Sequence, residues 1–155
     1  MNKPLNNGIA TPVELEVWKD PQGYVLIRHI RDEAWLFFKC WEATGEETTY
    51  IGCLHFEGVW HLSSTRFSEY KSYPDVEESD FRAYYIVVNN SPLLASLIND
   101  RQRHSPDWRN YDQRDYKHWI VESHDFYTDI VAAEVSFSTI SGEEAEHCFK
   151  IWEQV

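Results

Sequence analysis

The first half of this chain alternates apolar and polar residues in short runs separated by turn-forming residues, and that pattern leaves few folds open. Val13, Leu15 and Val17 alternate with Glu14 and Glu16, the period of two that gives a strand one dry and one wet face. Asp20-Pro21-Gln22-Gly23 follows with turn chemistry, Pro fixing φ and Gly free to make the exit. Residues 24–30 return as a second strand. Residues 34–41 (AWLFFKCW) are apolar on both parities, as a strand covered on both faces would be. Thr44-Gly45 turns the chain, residues 48–56 run back, and Glu57-Gly58 leads into residues 59–63. This reads as a meander of about five short strands.

Beyond it the pattern changes. Residues 64–80 lose periodicity, and Pro74 precedes Asp75, Glu77, Glu78 and Asp80, a solvated loop. Residues 83–88 (AYYIVV) are β-branched and aromatic, as in a central strand. Ser91-Pro92 opens a helix over about 92–103, with Ser as N-cap and Pro at the first helical position. Its apolar face is Leu93, Leu94, Leu97 and Ile98. Residues 116–122 and 131–140 read as two more strands. A second helix is expected over 142–154: Ser141 and Glu144 have capping-box spacing, and Ala145, Cys148, Phe149 and Trp152 form an apolar stripe.

Eight or so strands and two helices without strand–helix alternation exclude a doubly wound parallel sheet. The expected fold is α+β: an antiparallel β-meander forming a curved sheet or open barrel, with both helices packed on it. A length of 155 residues fits one domain, with residues 1–11 as a polar, frayed arm.

Twenty-six acids against fourteen bases give a net charge of −12, which works against binding phosphate backbones and anionic membranes. Neither nucleic acid nor membrane is therefore an expected partner. Cys40, Cys53 and Cys148 form no dense framework and no CxxC pair, no apolar leader opens the chain, and no run approaches the roughly 18 apolar residues of a membrane span. A reducing, cytoplasmic location with buried thiols is the expectation.

No phosphate loop, dinucleotide fingerprint or nucleophile-elbow motif is present, and no cofactor is expected. Ser123-His124-Asp125 holds the residue types of a triad, but neighbours on a strand point to opposite faces. If residues 116–125 are one continuous strand, His118, Glu122 and His124 share a face, and nitrogen and carboxylate ligands suit a first-row metal. Cys53 and His55 have the same spacing on another strand, with His61 close behind. The chance reading is that these are surface or hydrogen-bonded histidines.

The segment 100–119 (DRQRHSPDWRNYDQRDYKHW) stands apart. It lacks aliphatic side chains and carries five bases against four acids, +1 in a chain of −12. Arg103, Trp108, Arg109, Tyr111, Arg114 and Tyr116 are of the types enriched at binding hot spots. Two readings remain open for them: a contact surface, or a loop whose Trp108 and Tyr111 tuck onto the sheet while Arg–Asp pairs lace it together. The first gives the leading functional expectation, a non-catalytic protein-interaction or self-associating module. The alternative is a pocket lined by Trp35, Phe37, Trp60 and Tyr85 for a small apolar or aromatic ligand. A metal-dependent enzyme is the most distant reading.

Overall fold

The computed structural model describes residues 8–15, 17–19, 24–42, 47–66, 74–76 and 84–140. They form two mostly antiparallel sheets and one α-helix. In chain order the strands are β1 (Ile9–Pro12), β2 (Val17–Lys19), β3 (Val25–Ile30), β4 (Glu33–Glu42), β5 (Glu47–Glu57), β6 (His61–Arg66), β7 (Asp75–Val76), β8 (Tyr85–Asn89), β9 (Lys117–Ser123), β10 (Phe126–Ala132) and β11 (Glu134–Ile140). The helix α1 (Pro92–His104) follows β8, and a short 3-10 turn at Trp108–Asn110 follows α1.

One sheet has the order β6-β10-β9-β8-β1-β7, its β1–β7 pair being parallel. The other runs β11-β5-β4, and β2 and β3 both pair with β4. The meander holds from β3 to β5 and then breaks. Gly58, at φ +65, turns the chain out of one sheet, and β6 pairs with β10 of the other. At Ala133 the chain crosses back beside it, and β11 pairs with β5. The Ala133 N–H donates to Glu57 O at 3.1 Å, and the Trp60 N–H to Val131 O at 2.7 Å. These bonds stitch the two crossings into a corner shared by both sheets.

The expected single curved sheet or barrel is thus corrected to two sheets that do not close. A left-handed residue at Gly58 sends one ribbon to two sheets, and among the described residues nothing joins the β7 edge to β2 and β3. The expected strand over 131–140 is two strands broken at Ala133. Residues 126–130, unassigned in the sequence, belong to the first of them. The frayed arm is corrected from residue 8 onward: β1 sits between β8 and β7, while residues 1–7 lie outside the described part. The strand expected through Val13 and Leu15 begins instead at Val17. The described residues hold one α-helix, so the two-helix arrangement is not borne out, and 142–154 lies outside them. The turns at 20–23 and 44–45 and most of the 64–80 loop lie outside them as well.

Period-two patterning builds the core. Ala34, Leu36, Phe38 and Cys40 of β4 are buried on the inner face, with Trp35 and Phe37 half-buried on the outer. The inner set packs with Leu54 and Phe56 against Tyr85, Trp119, Val121 and Ile130 of the other sheet. Phe56 and Trp119 meet edge to face at 5.4 Å. Gly52 leaves room for a ring, since a Cβ there would lie 2.5 Å from Phe38. The opposite face of the six-stranded sheet carries a second buried group: Ala10, Ile86, Val88, Ile120 and Tyr127. No described helix is long and apolar enough to cross a membrane.

Candidate functional site

Segment 100–119 wraps the corner where the chain changes sheets, and one carboxylate organises it. The Asp112 side chain is only 4% exposed. It accepts hydrogen bonds from Arg101 Nη1 (2.8 Å), Arg114 Nε (3.0 Å), the Arg114 backbone N–H (3.2 Å) and the Tyr116 hydroxyl (2.6 Å). The Arg114 hydrogen bonds, with those from Tyr116 and Arg101, hold its carboxyl well below the usual carboxylate range despite burial. Burial, and then the bond to Asp112, push the Tyr116 phenol up. Two guanidinium groups meet one carboxylate here, so the cluster keeps a net positive charge.

Trp108 does not lie at the surface. It is 1% exposed, and its indole Nε1 donates to Gln102 Oε1 at 3.1 Å. The Arg101 guanidinium lies 4.5 Å from its ring centre and the Arg109 guanidinium 4.1 Å, so its cover is polar. Trp60 packs edge-on to Trp108 at 5.8 Å and to Tyr116 at 4.9 Å. The lacing reading therefore holds for Trp108, Asp112, Arg101 and Arg114. Tyr111 does not tuck in: it is 65% exposed. The Arg103 side chain is 74% exposed and pairs only with Asp100 on its own helix among the described residues. Arg109 is exposed above Trp108 and donates to Arg114 O at 2.8 Å. Arg109 and the 51%-exposed Arg114, joined by that bond, form with the exposed Tyr111 between them in the chain a braced, outward-facing basic patch.

The four expected pocket residues do not converge. Trp35 and Phe37 lie on the outer face of β4, where Trp35 stacks on His55 at 4.7 Å with Arg28 over its ring. Trp60 belongs to the corner just described. Tyr85 is in the inter-sheet core, where burial pushes its phenol up. The expected histidine face also fails. β9 ends at Ser123, so His124 sits in the following turn, against Tyr24 and near Asp125. Cys53 and His55 lie on the other sheet from His118, and His61 bonds Ser63.

His118 is 5% exposed with both ring nitrogens engaged. The Ser91 hydroxyl is 2.7 Å from Nδ1, and Asp129 Oδ1 is 2.6 Å from Nε2. Ser91 also caps α1, accepting from the Leu94 N–H at 3.1 Å. The cap was legible in the sequence. Its link to His118 and Asp129 was not, because those residues lie 27 and 38 positions further on.

Among the described residues, a group that can hold a metal lies elsewhere, beside the corner. Glu33, His55 and Glu57 bring ligand atoms within 4.8 Å of one another, and His55 Nε2 is 3.1 Å from Glu33 Oε1. Glu33 pairs with Glu57 and Glu57 with Glu134 across β4, β5 and β11, three carboxylates in a row. With Asp32, Gly58, Ala133 and Arg114 they line a hollow of about 300 Å³. Arg114 reaches Asp32 at 3.9 Å, so the acidic row and the basic patch adjoin. This chain matches no protein-family model, no curated protein and no solved structure.

Proposed function

We propose that this protein is a self-associating interaction module in which the basic patch of one copy docks on the acidic row of a second. The observation that carries the reading is the adjacency of Arg114, which is bonded to Arg109 through its carbonyl, to Asp32, Glu33, Glu57 and Glu134. A two-fold arrangement lets each copy offer its patch to the other's row, so the contact closes at two copies. The Asp112 cluster braces the patch beforehand, which reduces the ordering cost of association. A body of −12 repels its own copies at long range, so the pairing depends on this local complementarity.

Light scattering across salt concentrations tests it, because the screening length falls from about 30 Å at 10 mM to about 3 Å at 1 M. The expected result is a dimer at low salt that dissociates as salt rises. Arg109→Glu with Tyr111→Ala is expected to be monomeric throughout while keeping the wild-type circular-dichroism spectrum, since both side chains are exposed. A wild type that is monomeric at every salt concentration overturns the proposal.

A further inference from the structure

We propose that Ser91, His118 and Asp129 form a serine hydrolase centre acting on carboxylic esters with an apolar acyl group. Four observations converge on it. First, the hydrogen-bond chain has a fixed direction. The Asp129 carboxylate only accepts, so His118 Nε2 carries the proton of the neutral ring and Nδ1 accepts from the Ser91 hydroxyl, whose oxygen also accepts from Leu94 N–H. That is a nucleophile held by a base that is itself oriented by a carboxylate. The ring is turned over relative to the usual arrangement, and either imidazole nitrogen can take the proton.

Second, the backbone is a strand, a sharp turn and a helix. β8 ends at Asn89, Asn90 is held at φ +53, Ser91 caps and Pro92 begins α1. A non-glycine residue at positive φ is uncommon and strained. The turn it makes sets the serine at the positive end of a 13-residue helix, where developing negative charge is stabilised. Pro92 has no N–H, so the next backbone donor is that of Leu93, which no carbonyl within the helix can satisfy.

Third, the sheet register supplies the base and its partner. His118 pairs with Val88 of β8 on one side and with Val131 of β10 on the other. Asp129 is opposite Ile120, so it shares a face with His118 as a diagonal neighbour. Fourth, Ser91 lines an open groove of about 560 Å³ between α1 and the ends of β8 and β9, walled by Val88, Leu94, Ala95 and Ile98, with Lys117 at its edge.

In the first step Ser91 Oγ bonds to the ester carbonyl carbon while its proton passes to Nδ1. The carbon–oxygen bond to the leaving group then breaks, and the alcohol departs with that proton. Water attacks the acyl-serine, its proton passes to Nδ1 and on to Ser91 Oγ, and the carboxylic acid leaves. Ester and water become acid and alcohol, with no change of oxidation state.

The probes are an alkyl fluorophosphonate, read by intact mass and peptide mapping, and p-nitrophenyl butyrate turnover. The expected result is a single phosphonyl adduct on Ser91. Ser91→Asn retains a side chain that caps helices as well as serine does, and it is expected to melt like the wild type without labelling or turnover. Asp129→Asn should lower kcat by about 100-fold or more with KM unchanged, which a merely structural carboxylate would not do. A folded wild type with no adduct, an adduct elsewhere, or equal turnover by Ser91→Asn each overturn the proposal. None of these outcomes depends on the association state.

Discussion

Replacing Asp112 by Asn removes one charge and almost no volume, so it isolates the electrostatics of the corner. In the wild type the carboxylate accepts three side-chain hydrogen bonds of 3.0 Å or less, two from guanidinium groups and one from a phenol. Hydrogen bonds to a charged group contribute about 1.5–3 kcal/mol each, but three on one acceptor are not additive. The amide nitrogen of Asn would also face a donor with a donor. Breaking a fully buried ion pair costs about 3–5 kcal/mol. Here Arg114 is half exposed and Arg101 partly so, and both rehydrate when released. The lower end applies, about 3 kcal/mol, which at this chain length lowers the melting temperature by about 6–12 °C.

The pH dependence provides the stricter check. The folded-state carboxyl is held below its unfolded value, so its contribution is complete above about pH 4 and drains as the pH falls towards the folded pKa. The amide of the Asp112→Asn variant cannot titrate, so the stability gap between wild type and variant is expected to narrow steadily below about pH 4. Circular-dichroism melts of both proteins from neutral to acid pH measure it. A variant melting within about a degree of the wild type at neutral pH would refute the reasoning. So would a gap that stays constant into acid.

Two further substitutions probe neighbouring parts. Trp108→Ala empties a fully buried ring site beneath two guanidinia and is expected to cost about 3–5 kcal/mol; hydrogen exchange should lose protection at the amides of Tyr111 and Asp112, which bond Trp108 O. Glu57→Gln removes the middle charge of the three-glutamate row. Facing like charges cost a few tenths of a kcal/mol to about 1, so chemical denaturation is expected to show a more stable variant at low salt and a vanishing difference at high salt.

What could be read from the sequence follows from where each signal is stored. β3, β4 and β5 were legible because each is a short run rich in apolar and β-branched residues closed by turn residues, a signal that lies within the strand and its ends. Ser91-Pro92 was legible for the same reason: a cap is decided within four residues. The break at Ala133 was not, because alternation runs on through it, with Val131 and Val135 apolar on either side, while the cause of the break is a bond to Glu57 O. Trp108 was ambiguous for a different reason. Arginines around an indole read as a contact surface, yet the same guanidinia stack on the ring and form the polar lid that buries it. Composition is the same in both cases, and only the position of Asp112 decides between them. The Ser91–His118–Asp129 chain joins three elements and leaves no local trace.

The helix between these two polar centres shows why they matter together. None of the residues of α1 is fully buried, and Leu93, Leu94, Leu97 and Ile98 are only half covered. Its apolar face alone therefore holds it weakly, since stabilisation scales with the area removed from water. Its ends are fixed instead. Ser91 ties the first turn to His118, and Arg101 ties the last turn to Asp112 and lies over Trp60 and Trp108. The two ties are about 15 Å apart along the axis. A helix pinned at both ends need not collapse onto the sheet between them, and the groove beside Ser91 is the space that this leaves open.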